Sequence, residues 1–263
     1  MAPPPRRLTA FGLLPALLML AAPVSAQPPA APAPGAPPRT LNIVHVRLKA
    51  GSAAAYESLE ASIARASQRA RIRVYWLALQ SRNDAKDVLY LNLLQTPEDV
   101  DRATAAYNEA AKQHPELVKL QQRLAELSSG SASMLTTHRD EVEHTPGGVD
   151  FASMRAVQLT TFQVRPGREG DFITAIRTAN AKDAPWLVYE ANDAPVFVLM
   201  TLKRSPSERL ESPAIPRTLR RFRGVYTKAE TRVYVVRPAM SRVSRAFAAT
   251  NPQLWRAAGT DQR

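Results

Sequence analysis

The chain has 263 residues and carries 35 Lys and Arg against 23 Asp and Glu, a formal net charge of +12. It contains no cysteine, which excludes disulfides, thiol catalysis and thiolate metal sites. Its hydrophobic content of 45% suffices for a real core and argues against a disordered or fibrous chain.

The N-terminus places Arg6-Arg7 before an apolar run from Leu8 to Leu20, and Val24-Ser25-Ala26 follows. That order is the signature of a secretory signal, with cleavage expected after Ala26. The run is too short for a membrane anchor, and Pro15 interrupts it. No later stretch is long and apolar enough to span a bilayer, so the mature chain is expected to lack transmembrane segments. Its expected place is the periplasm or the medium of a bacterium, in keeping with an Ala-, Arg- and Pro-rich composition. Gln27 to Arg39 is nearly all Pro, Ala and Gly and reads as an extended leader.

Thr40 to His144 reads as one unit. Leu41 to Lys49 alternates and predicts a strand, which Gly51-Ser52 ends. Tyr56, Leu59, Ile63 and Ala66 recur at helical steps. Strands are predicted over Arg71 to Gln80 and Asp87 to Leu94. Thr96-Pro97-Glu98-Asp99 opens a helix, with Thr96 as the cap. His114-Pro115 breaks it, and Leu117, Leu120, Leu124 and Leu127 form the face of another. Ser131 to Glu143 closes the unit as a fourth strand, which gives β-α-β-β-α-β.

Residues 145–153 read as a linker around Pro146-Gly147-Gly148, and the same order returns over Met154 to Pro238. Strands are predicted over Arg155 to Arg165, Pro185 to Glu190, Val196 to Lys203 and Tyr226 to Arg237, with a helix over Arg168 to Ala181. Ser205-Pro206-Ser207-Glu208 repeats the capped helix start of Thr96. In the tail, residues 239–263, Trp255 either docks on the body or belongs to a frayed end.

The two units align as an internal repeat. Lys49-Ala50-Gly51 falls on Arg165-Pro166-Gly167, Tyr56 on Phe172, and, after six residues are dropped from a loop, Trp76 on Trp186. Two tandem ferredoxin-like units of this kind resemble the dimeric α/β-barrel superfamily, which includes antibiotic-biosynthesis monooxygenase-like and chlorite dismutase-like proteins. The segments VRPGREGDF and NPQLW also resemble uncharacterised secreted bacterial proteins of that architecture. The resemblance implies an α+β fold in which two βαββαβ units pack as an intrachain dimeric α/β-barrel, as a monomer or a homodimer. It implies a barrel binding a small apolar ligand or a partner, and leaves open a cofactor-independent or haem-linked oxygenase. No cofactor is expected, with haem left open by the resemblance.

Strand alternation puts His45 and Arg47 on the more polar face of the first strand. With Trp76, Tyr90 and Asn92, and with Gln163, Trp186 and Glu190 from the second unit, they are the lumen candidates. His138, on a strand adjacent to that of His45, joins them as a residue able to approach it. No pair of histidines has metal-ligand helical spacing, so no metal site is expected. Gly-rich phosphate loops and G-x-S-x-G elbows are missing. Lys203 to Arg223 holds seven basic and two acidic residues, and Arg217, Arg220, Arg221 and Arg223 form a candidate patch for an anionic envelope component. Nucleic acid is not an expected partner, because no stacking-aromatic motif accompanies the charge.

Overall fold

In the first strand, TLNIVHVRL, apolar side chains stand on both faces, and both faces are covered. The computed structural model describes residues 36–145, 148–178, 185–205, 222 and 224–260. Unit 1 runs β1 (Thr40–Leu48), α1 (Ala53–Arg69), β2 (Leu77–Ser81), β3 (Asp87–Leu94), α2 (Asp99–Gln113), α3 (Pro115–Glu126) and β4 (Ser128–His138). Unit 2 runs β5 (Ala156–Val164), α4 (Glu169–Arg177), β6 (Leu187–Ala191), β7 (Val196–Lys203) and β8 (Tyr226–Val236). Each sheet has the ferredoxin-like order, β4-β1-β3-β2 and β8-β5-β7-β6. The sheets join edge to edge, β2 with β8 and β4 with β6, and close an eight-stranded antiparallel barrel. Closure leaves neither sheet an exposed edge.

The duplication is visible in the backbone. Gly51 and Gly167 both take left-handed φ, 76° and 79°, at the turn after the first strand of each unit. Bulges fall at Arg47/Leu48 and at Gln163/Val164. A 3₁₀ turn follows β4 at Asp140–Val142 and β8 at Pro238–Met240.

Beyond each of these turns the chain crosses onto the other unit. His144 bridges to Trp186, and Arg242 bridges to Trp76. The Trp186 indole N–H donates to the Val142 carbonyl at 3.1 Å, and that of Trp76 to the Met240 carbonyl at 2.8 Å. The two tryptophans are thus matched clasps between the halves. The tail adds β9 (Arg242–Val243), α5 (Arg245–Thr250), α6 (Pro252–Trp255) and β10 (Gly259–Thr260), with β9 and β10 pairing in parallel. Trp255 docks; it is 1% exposed, and its N–H donates to the Ala152 carbonyl at 2.7 Å.

Three local expectations change. The second strand begins at Leu77, where pairing to Leu91 starts; Ile72 and Val74 instead pack beneath α3 with Leu117. The fourth strand runs Ser128–His138; the Arg139 N–H still donates to the Val188 carbonyl of β6, and the 3₁₀ turn from Asp140 then ends the pairing. At the start of α2 Glu98 stands at the N-cap without a side-chain cap bond, and Asp99 reaches back instead, its Oδ2 accepting from the backbone of Gln95 and Thr96, both at 2.9 Å. The helix start expected at Ser205-Pro206-Ser207-Glu208 lies largely outside the described residues, as do the signal segment and most of the leader.

Trp186→Phe keeps most of the ring but orphans the Val142 carbonyl. It should cost roughly 1–3 kcal/mol, the penalty for a buried polar group left unpaired, in denaturant unfolding. Trp255→Ala should cost roughly 3–5 kcal/mol, the range for a large buried aromatic. An unchanged midpoint would mean that the tail is not part of the cooperative unit.

Candidate functional site

The register of the ladders decides which side chains enter the barrel. Along β1, Leu41, Ile43 and His45 face inward with Leu89 and Leu91 of β3 and Met134 of β4. Val157, Leu159, Val198, Met200 and Tyr234 do the same in unit 2. Most of the lumen is closed by these apolar groups. A cavity of about 270 Å³ remains, lined by Ile43, Leu89, Met134, Leu159 and Val198 on its apolar side and by His45, Thr161, Glu230, Arg232 and Tyr234 on its polar side.

The polar side is organised by Asp87, the first residue of β3, which is 2% exposed. His45 Nε2 contacts its Oδ1. Arg232 Nη1 donates to Oδ2 at 2.5 Å, and the Tyr234 hydroxyl donates to the same oxygen at 3.3 Å. Glu230 holds the other side of Arg232, accepting from Nε at 2.7 Å. Burial works against the charge on Asp87, but the hydrogen bonds and charge of His45 and Arg232 more than offset it, so its carboxyl titrates below the usual range. Burial pushes the Tyr234 phenol up, and the charge of Asp87 adds to that. With Nε2 of His45 directed to Asp87, Nδ1 has no hydrogen-bond partner among the described residues.

The cavity lies on the pseudo-two-fold axis of the repeat. Matching the β1 and β5 ladders sets His45 against Thr161, Asp87 against Val196, Glu230 against Ala132, Arg232 against Met134 and Tyr234 against Thr136. One wall is therefore charged, and its symmetry mate is apolar or hydroxylic.

Of the residues expected to line the lumen, His45 does. Arg47 and Gln163 stand on the inward-facing register at the rim; Arg47 pairs with Asp84 at 2.7 Å, and Gln163 is exposed. The others go elsewhere. Tyr90 and Asn92 alternate with Leu89 and Leu91, so they point away from the lumen: Tyr90 meets Tyr56 of α1, and the Asn92 amide donates to the Tyr75 carbonyl at 3.1 Å. Trp76 and Trp186 are the clasps. Glu190 is on the outer face of β6 and binds Arg139. His138 sits at the far end of the β1–β4 ladder from His45, because Thr40 pairs with Thr137 and His45 with Ala132. It packs at a tilt against Tyr189, with ring centroids 5.1 Å apart, and Nε2 lies 3.0 Å from Glu143. Arg217, Arg220, Arg221 and Arg223 lie outside the described residues.

Asp87, Glu230, Arg232 and Tyr234 were missed. The available signal was period-two alternation: Asp87 shares a face with Leu89 and Leu91, and Glu230, Arg232 and Tyr234 recur every second residue.

The lumen cavity, at about 270 Å³, is smaller than the roughly 300–1,000 Å³ of drug-sized pockets. The Nε2 atoms of His45 and His138 both face carboxylates. Among the described residues no group of three or more His, Asp or Glu is arranged to hold a metal ion, and no helix is long and apolar enough to cross a membrane.

No protein-family model matches the chain, and no curated protein matches it. Solved structures do. An anthrone oxidase-like protein superposes with a TM-score of 0.53 at 12% identity, over 78% of this chain and 94% of that one. A "putative monooxygenase" from Fusobacterium nucleatum superposes with a TM-score of 0.52 at 9% identity, over 75% and 91%. A mutant chlorite dismutase from Candidatus Nitrospira defluvii gives 0.48 at 10% identity, over 76% and 92%. At these identities the likeness is one of fold. The chain has the fold of the dimeric α/β-barrel proteins, with both ferredoxin-like halves carried on one polypeptide.

Proposed function

We propose that the lumen cavity binds a small, mostly apolar molecule with one polar end. The observation that carries this is the convergence of His45, Arg232 and Tyr234, drawn from both units and held by the buried Asp87, on one wall of a cavity whose remaining lining is mostly apolar. Apolar burial supplies affinity, and the polar wall fixes orientation. The volume of about 270 Å³ suits a molecule of one or two rings.

The same arrangement supports a catalytic form of this reading without a cofactor. A neutral His45 that donates from Nε2 to Asp87 holds its lone pair at Nδ1 and can take a proton there, with Asp87 stabilising the imidazolium that results. A weakly acidic hydroxyl or C–H group at the polar end of the ligand is the matching proton source. The anthrone oxidase-like neighbour is consistent with such chemistry through its fold. The signal-like N-terminus supports an extracytoplasmic place of action.

Small aromatic alcohols should raise the melting temperature of the wild-type protein but not of Met134→Trp, which fills the apolar wall. If no member of a broad panel stabilises the protein, or if Met134→Trp responds equally, the lumen is not a binding site. Haemin should give no Soret shift that His45→Ala abolishes.

Asp87→Asn should cost about 3 kcal/mol. That is the low end for breaking a buried pair, because His45 and Arg232 are each at least a third exposed. The carboxyl titrates lower folded than unfolded, so its stabilisation is complete above about pH 4 and fades as pH falls towards the folded value. Acid unfolding curves of wild type and Asp87→Asn should converge there; parallel curves would contradict the assignment.

A further inference from the structure

The layer between the unit 1 sheet and α1 holds three polar side chains at positions where the repeat is apolar. Tyr56 and Glu60 stand one turn apart on α1, and Tyr90 meets them from β3. The Tyr90 hydroxyl donates to that of Tyr56 at 3.0 Å, and these two phenols are the polar groups that act on the Glu60 carboxyl. Glu60 is 6% exposed.

Unit 2 supplies the comparison. The step that relates Gly51 to Gly167 takes Tyr56 to Phe172 and Glu60 to Ile176. Val44 pairs with Tyr90 as Thr160 pairs with Leu199, so Tyr90 corresponds to Leu199. Phe172, Ile176 and Leu199 are buried in an apolar cluster under α4. The same architecture therefore closes on ordinary apolar packing, and the carboxyl is not needed to build it.

Among the described residues, no salt bridge pairs Glu60 with a cation. The titratable groups coupled to it are Tyr56, Tyr90 and Tyr107, each with its phenol pushed up by burial first and by Glu60 next. Its neighbour Glu57 is turned to Arg237 at 2.5 Å. An ionised Glu60 would be a buried charge held only by phenols, which is costly.

We propose that Glu60, with Tyr56 and Tyr90, is a proton-operated latch that keeps α1 docked on the sheet when protonated and loosens it when ionised. Burial pushes the carboxyl up to about 7, against the opposing effect of the tyrosine hydrogen bonds. An undocked glutamate titrates near about 4.3. The docked helix thus keeps a proton that the undocked helix releases. The latch is at full strength below about pH 4, weakens as pH rises towards 7, and loses no more above that.

Amide hydrogen exchange on the full chain, corrected for intrinsic rates, tests this. Between about pH 5 and pH 8, opening of α1 should rise by roughly tens of fold in the wild type, while α4 stays level. Glu60→Gln and Glu60→Ile, the latter taking the residue of unit 2, should abolish the rise. An α1 response equal in wild type and Glu60→Gln would overturn the latch. Should the variants fail to fold, isotope-edited infrared spectroscopy of wild-type Glu60 decides: a protonated carbonyl band at about pH 5 that disappears by pH 8 supports the latch, and a carboxylate band throughout overturns it.

Discussion

The structure depends on the pairing of four strand edges. A ferredoxin-like sheet standing alone would present β2 and β4, or β6 and β8, as rows of unpaired backbone groups, and such edges invite association. Here each edge finds its complement in the other unit. The crossing segments after β4 and β8 then lock each seam through an indole N–H bonded to a carbonyl. Barrel closure, the buried lumen and the docking of the tail all follow from those two seams.

Closure also fixes what the lumen can be. Inward side chains are mostly branched and apolar, so a polar group there must be satisfied within the barrel. Asp87 is satisfied by groups from both halves, which makes the candidate site a product of assembly: unit 1 contributes His45 and Asp87, and unit 2 contributes Arg232 and Tyr234. The apolar or hydroxylic residues at the symmetry-related positions show that the repeat has diverged where it faces the cavity. Glu60 marks a second divergence, in a layer that unit 2 fills with Phe172, Ile176 and Leu199.

Much of this was legible in the sequence, for identifiable reasons. Asp87–Leu94 and Val196–Lys203 are dense β-formers with clear turn residues on either side, and their bounds matched. The glycines at 51 and 167 announced the repeat, because only a left-handed turn keeps them in place. The site was harder. The face holding His45 was identified, but Tyr90 and Asn92 were assigned to it without the pairing register, and a shift of one residue reverses every side chain on a strand. The tryptophans looked like ligand-binding aromatics because the crossing segments that use them lie 164 and 44 residues away in the chain. Periodicity sees only local order, and contacts of that range are outside its reach.

The fusion of the halves has a consequence for assembly itself. A barrel made from two separate chains exists only in proportion to their concentration, and it dissociates on dilution. Here β2 meets β8 and β4 meets β6 within one molecule, so the closing reaction is unimolecular and its equilibrium carries no concentration term. The seams can then be as short as three residue pairs each, as they are, without risking loss of a partner.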